Sequence, residues 1–255
     1  MLHKIYLLPL LSLLVSLSSQ ACNIDIYANG DMKPKVYLEA GKPAGILIEM
    51  LLFVEKDIGC KFNFKFSTWA RAYKSMLNGE GAVIGLSKTT SREKLIDYSD
   101  AMYIEDILLV THINNAFQYS EINDLAGKTV ASSRGANIGD EFEHAVESKL
   151  FTFMVDNGDM SKRLERVAKG RVDVAIVSPG KYAFDNAFIK HPELLEIKDQ
   201  LYIVPTVFRK DPNFLGFSKK YEHQGFMEKL NRSMEKGRQS GIFQAIEDKY
   251  HQRQQ

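Results

Sequence analysis

Cysteine is nearly absent from these 255 residues: Cys22 and Cys60 are the only two, and Trp69 is the single tryptophan. Two cysteines without a close partner cluster make a poor zinc or redox motif. Charge of one sign is also missing. Thirty-three Lys and Arg against 32 Asp and Glu leave a formal charge of +1, so no broad electropositive surface serves a phosphate backbone, and nucleic acid is not an expected partner. The chain lacks a Gly-Lys-Ser/Thr phosphate loop, a Gly-x-Ser-x-Gly elbow, a His-Glu-x-x-His zinc motif and a Ser-His-Asp arrangement. His3 lies in the leader, and His112, His144, His191, His223 and His251 fall in connecting, helical or terminal contexts. No metal, cofactor or catalytic residue is therefore expected.

Long apolar runs are scarce too. Lys4 is followed by the apolar residues 5–17, then by small and polar residues ending Ser19-Gln20-Ala21, the order of a secretory signal. Pro9 interrupts the run, which falls short of the roughly 20 residues that span a bilayer. Residues 1–21 are thus expected to direct export, with cleavage near Ala21 and a periplasmic or secreted location. Lipid attachment at Cys22 is the weaker alternative, because Ser19 stands where a lipoprotein signal usually carries an aliphatic residue. Export places both cysteines in an oxidising compartment. One sits at the start of a predicted strand and the other just before the next, and if those strands are parallel neighbours, as the helix between them implies, both sulfurs lie at one end of the sheet. A Cys22–Cys60 bridge is expected, contributing about 4 kcal/mol in the chain-entropy description.

What is present is an ordinary globular composition, 45% hydrophobic and 25% charged, in which short apolar strands alternate with amphipathic helices. Strands are predicted at 24–27, 61–66 and 82–86, with helices near 45–58 and 69–77. A second unit has strands at 129–133, 151–155 and 172–177 and helices near 138–148, 161–168 and from Pro179. Such βαβα order argues for α/β units with mainly parallel sheets flanked by helices. Extended segments at 104–113 and 201–208 join the units as two hinge connections, giving a two-lobed chain. Residues 22–110 with 205–255 form the expected first lobe, and 111–204 the second. A terminal helical segment, 226–250, is expected to break at Gly237 and Gly241 and to pack back on the first lobe.

Ligands of open α/β sheets bind beyond the carboxyl ends of strands, which directs attention to 28–34, 67–71, 85–92, 134–139 and 178–181. The most informative stretch is Gly85-Leu86-Ser87-Lys88-Thr89-Thr90-Ser91-Arg92, followed by Ile96-Asp97-Tyr98-Ser99-Asp100. It resembles the family-3 periplasmic solute-binding proteins, the polar amino-acid receptors of ABC importers. The likeness extends to Lys42-Pro43-Ala44-Gly45, Leu125-Ala126-Gly127-Lys128 and Arg171-Val172-Asp173, and so over essentially the whole exported chain.

The resemblance implies a type II periplasmic-binding-protein fold, capture of a small carboxylate-bearing ligand by lobe closure, and a permease partner. It makes Arg92 the clamp on a ligand carboxylate, assisted by Gly85 and Ser87; a guanidinium offers a carboxylate a planar two-point fork. The plainer alternative for Arg92 is an exposed side chain at a helix start. Trp69 and, with less support, Tyr27 are candidate aromatic walls, or else core residues. In the second unit Arg134, Gly135, Ala136 and Asn137 form a turn ahead of a helix, suited to a distal anionic or carbonyl group. One departure stands out. Where amino-acid receptors place an aspartate for the ligand ammonium, this chain has Ser178, which carries no charge. Glu49 and Asp140 are candidate substitutes.

Two other function classes share the scaffold. An enzyme such as a dehydratase needs a positioned acid or base, for which the sequence offers no motif. A ligand-sensing module for a membrane partner uses the same closure as an importer's receptor. The expected working form is a monomer.

Overall fold

The computed structural model describes residues 22–252 apart from Gly135, Asn137, Gly158 and Gln224. The expected signal, residues 1–21, and the candidate site residue Asn137 lie outside the described residues.

Strand β1 (Asn23–Asn29) turns Ile24, Ile26 and Ala28 into the core by its alternation. A small antiparallel ribbon follows: β2 (Asp31–Met32), β3 (Val36–Glu39) and β4 (Lys42–Ala44). Helix α1 (Ile46–Ile58) buries Leu47, Met50, Leu51 and Val54 and ends at Gly59, whose φ of 67° suits a left-handed helix terminus. Next come β5 (Lys61–Ser67), α2 (Trp69–Leu77), β6 (Ala82–Leu86), the single turn α3 (Thr90–Glu93) and β7 (Ile96–Tyr98). The long strand β8 (Tyr103–His112) leads out. The second lobe contains β9 (Thr129–Ser133), α4 (Asp140–Glu147), β10 (Thr152–Asp156) and α5 (Met160–Ala168), followed by β11 (Val174–Val177), α6 (Gly180–Lys190) and β12 (Leu201–Ile203). Strand β13 (Arg209–Ser218) returns to α7 (Phe226–Gln239) and α8 (Ile242–Gln252).

The main sheet runs β10-β9-β11-β8-β13-β6-β1-β5. Parallel pairs, β1 with β5 and β6 and β9 with β10 and β11, form the two ends. The antiparallel strands β8 and β13 cross between them. Residues 103–107 of β8 pair with 209–213 of β13, after which β8 continues onto β11 and β12, and β13 onto β6 and β7. Each end is covered on both faces. One core joins Ile26, Leu47, Leu51, Phe217 and Met234 under α1, α7 and α8, and a smaller one beneath α2 holds Ala72, Met76, Val83 and Leu86. In the other lobe, one core gathers Leu109, Val130, Phe142 and Val174 by α4, and another gathers Val110, Ala131, Leu164 and Phe184 by α5 and α6. Each fully buried aliphatic side chain contributes about 1.5–3 kcal/mol.

Cys22 and Cys60 are bonded, directly ahead of the parallel partners Asn23 and Lys61. Two expectations are corrected. The second connection is not extended over 201–208: β12 ends at Ile203, and the crossing strand begins at Arg209. Pro212, Asn213 and Gly216 lower the strand propensity of 209–218, but pairing with β8 and β6 overrides it. The terminal helices break only at Gly241, with φ 76°. Gly237 stays inside α7 because the Phe243 ring lies against it; a Cβ there would stand 2.4 Å from a ring carbon. Among the described residues no helix is long and apolar enough to cross a membrane.

Candidate functional site

The carboxyl ends of β6, β9 and β11 converge on the crossing of β8 and β13. A cavity of about 190 Å³ lies there, lined by Lys35, Ser87, Glu105 and Asp211 on one side and by Ser133, Ala136, Arg163 and Ser178 on the other. A second opening of about 290 Å³ shares Ser133 and Ser178 with it and adds Lys33, Asp159 and Tyr182.

The charges of the cavity follow from strand register. Glu105 and Asp211 are direct partners in the β8–β13 ladder, so two carboxylates face each other, an unfavourable pairing without a cation. Lys35, just ahead of β3, supplies that cation: Nζ lies 2.6 Å from Glu105 Oε2 and donates to Asn213 Oδ1 at 3.0 Å. Ser178 donates to Glu105 Oε1 at 2.8 Å, bringing the end of β11 onto β8. Ser87 donates to Asp211 Oδ2 at 2.8 Å. Burial pushes the Asp211 carboxyl above the usual aspartate range and neighbouring Glu105 adds to this, while Ser87, Lys35 and Arg209 oppose it.

Arg163 of α5 is 1% exposed and makes four hydrogen bonds. Its Nε and Nη2 donate to the two Asp156 oxygens, each at 2.6 Å. Nη1 donates to the Ile176 carbonyl at 2.9 Å, and Nη2 also donates to Ser133 Oγ at 2.7 Å. It therefore fixes the ends of β9, β10 and β11 relative to one another. A bridge between the lobes lies nearby, where Thr90 donates to Asp140 Oδ2 at 3.2 Å.

Of the residues singled out in the sequence, Ser87, Ala136 and Ser178 come together around the cavity. Gly85, two residues before Ser87, has φ 78°, and Met32 lies against it. Arg92 stands one residue back from the cavity: its Nη1 donates to the Ser87 carbonyl at 3.0 Å, and its guanidinium lies 5.3 Å from the Tyr73 ring centre. Trp69 stacks on Tyr73 at 6.1 Å. Both Trp69 and Tyr27 pack on the small core beneath α2, and the Tyr27 hydroxyl donates to Glu80 at 3.4 Å. Arg134 is exposed, its backbone N–H donating to the Asp156 carbonyl. Glu49 binds Lys249 and the Tyr250 hydroxyl, away from the cavity. Sequence reasoning missed Lys35, Glu105, Asp211 and Arg163. A signal existed for Glu105, which occupies the inward phase of the alternation Tyr103, Glu105, Ile107, Leu109. Among the described residues no cluster of His, Cys, Asp and Glu is suited to a metal ion.

The profile of the "Bacterial extracellular solute-binding proteins, family 3" matches residues 24–253. The chain belongs to this family. Among the relatives of this solute-binding protein is the Bacillus subtilis (strain 168) "Probable amino-acid-binding protein YxeM", 23% identical over 232 residues, covering 89% of this chain and 83% of that protein. Another is the "Arginine-binding extracellular protein ArtP" of the same organism, 24% identical over 221 residues and covering 80% and 82%. The fold is shared with a histidine kinase sensor domain similar to periplasmic binding proteins, at TM-score 0.71, 18% identity and coverage of 90% and 96%. An ancestral arginine-binding protein bound to arginine gives TM-score 0.68, 20% identity and coverage of 89% and 97%. The solute-binding protein thus has the two-lobed type II architecture that its motifs implied.

Proposed function

We propose that this family-3 protein captures an amino acid between its lobes outside the cytoplasm, delivers it to an ABC-type permease, and does no chemistry on it. The observation that carries the reading is the polar cavity at the β8–β13 crossing, to which both lobes contribute hydroxyls and buried charges. A ligand that touches both sides binds the closed arrangement better than an open one, and only that difference drives closure. Residues 22–110 with 205–255 act as one body and 111–204 as the other.

In this reading the Ser87 backbone N–H and Arg92 hold the ligand carboxylate, while Ala136 and Ser178 meet it from the second lobe. Arg92 reaches the site by exchanging the Ser87 carbonyl for the ligand. Trp69 and Tyr73 support the guanidinium from behind. Calorimetric titration with the twenty L-amino acids, together with mass spectrometry of whatever co-purifies, tests the assignment. Failure of every amino acid to bind, alongside recovery of a different class of solute, overturns it.

The sensor-domain likeness favours one second reading, a module that reports ligand to a membrane kinase. Capture of a kinase rather than a permease by the ligand-loaded protein distinguishes the two.

A further inference from the structure

An α-amino acid brings a cation as well as a carboxylate, and the uncharged Ser178 supplies no counter-charge. The carboxylates around the cavity differ in how far they are already satisfied. Asp156 is bonded twice by Arg163. Glu105 accepts from Ser178 on Oε1, and its Oε2, also without a hydrogen bond among the described residues, has the Lys35 ammonium as a counter-charge at 2.6 Å. Asp159, in the adjoining opening, accepts from Ser161 and from the backbone N–H of Lys162. Asp211 is the exception. Its side chain is 7% exposed, Oδ2 takes the Ser87 hydroxyl, and Oδ1 is buried with no hydrogen-bond partner among the described residues. The nearest cation to Oδ1 is an Arg209 nitrogen at 3.8 Å, beyond hydrogen-bond reach.

Buried polar atoms of native proteins are almost always bonded, and a buried carboxylate oxygen left open is a strong acceptor awaiting a donor. Its position suits one kind of donor. The two charged groups of an α-amino acid sit on a single carbon, so their subsites must be neighbours. Ser87 provides that adjacency, with its backbone beside Arg92 and its hydroxyl on Asp211.

We infer that Asp211, on the crossing strand β13, is the cation-binding residue of the cavity, its Oδ1 accepting a hydrogen bond from the protonated amine of the ligand. The inference rests on the amino-acid reading and adds a requirement to it: the ligand must carry a positive charge next to its carboxylate. The crossing strand then takes the role that the position after β11 lacks. Because β13 also joins the lobes, the same contact couples recognition to closure.

The test compares wild type and Asp211→Asn by calorimetry against the twenty L-amino acids and, for each, the acid lacking the α-amine, as propionate is to alanine. The asparagine keeps the volume and an acceptor for Ser87 but loses the charge. The expected result is that wild type binds at least one amino acid about a hundredfold or more tighter than its amine-free partner, and that Asp211→Asn erases this preference. Equal affinity of the two proteins within threefold, or wild-type preference for an amine-free acid, overturns the inference and leaves carboxylate capture standing. Silence of wild type toward all the amino acids overturns the amino-acid reading and the inference together. A thermal melt establishes that the variant is folded. Should it not be, proton release by wild type on binding at acidic pH, read as heat that varies with the buffer's ionisation enthalpy, supports the inference, and buffer-independent heat overturns it.

Discussion

Ser87 and Asp211, 124 positions apart in sequence, share a hydrogen bond of 2.8 Å between the end of β6 and the start of β13. The bond joins a strand-end residue recognisable from its motif to a carboxylate that no motif marks. It also opposes, without reversing, the effect of burial that sets the sign of the pH dependence of the site.

Asp211 titrates above the ordinary aspartate value, with burial as the leading cause and Glu105 as the second. A raised folded-state pKa means that the group's contribution to stability is fully present below the unfolded value and is lost as pH rises through the folded one. Acidification from neutral should therefore stabilise the ligand-free protein at this residue and weaken capture of a cationic ligand. Lys35, Arg209 and Ser87 face the same carboxyl and oppose the shift without reversing it. Melting curves at several pH values, with and without ligand, should show opposite trends, and Asp211→Asn should flatten both.

Arg92→Ala is expected to leave the fold intact, because the side chain is half-buried and its guanidinium bonds only the Ser87 carbonyl among the described contacts. Losing the partner of a buried ligand carboxylate corresponds to about 3–5 kcal/mol, or several hundredfold or more in affinity. Arg92→Lys should also bind poorly, since an ammonium lacks the planar fork. Calorimetry showing near-native affinity in folded Arg92→Ala would refute the clamp.

Arg163→Met should unfold far more readily than wild type, by about 3–5 kcal/mol. It removes all four bonds that Arg163 makes to Asp156, the Ile176 carbonyl and Ser133 Oγ, and takes the guanidinium counter-charge away from the interior. Denaturant titration gives the value, and a loss below 1 kcal/mol would be incompatible with this bonding.

Gly237→Ala tests the terminal helices separately from the site. The new methyl group meets the buried Phe243 ring, which itself packs edge-on to Phe53 at 5.6 Å. Overpacking of this kind destabilises by about 1–3 kcal/mol. A lowered melting temperature with unchanged ligand affinity is expected, as α7 and α8 lie away from the cavity.

Much of the architecture was legible in sequence because it depends on local periodicity. Helix α2 (Trp69–Leu77) and strands β6 (Ala82–Leu86) and β9 (Thr129–Ser133) have the boundaries expected from patterning. The crossing strand β13 was not legible, since Pro212, Asn213 and Gly216 spoil the alternation that marks a strand. The cavity was half legible. Windows at strand ends contain Ser87, Ala136 and Ser178, yet the window 28–34 stops one residue short of Lys35. Glu105 lies on a segment that reads only as a connection, and Asp211 lies beyond the other connection, in a stretch given no element of its own.

Residue order alone determined the alternation of strands and helices, the pairing of the two cysteines at one end of parallel strands, and the family to which the motifs point. These depend on side-chain period, chain direction and compartment, all properties of neighbours in sequence. Only the tertiary structure decided which charges meet in the cavity. Glu105 and Asp211 face each other through the register of two strands more than 100 positions apart, and Lys35 reaches Glu105 from a third segment. Such contacts arise when the sheet closes around the β8–β13 crossing. No local pattern encodes the distance between them.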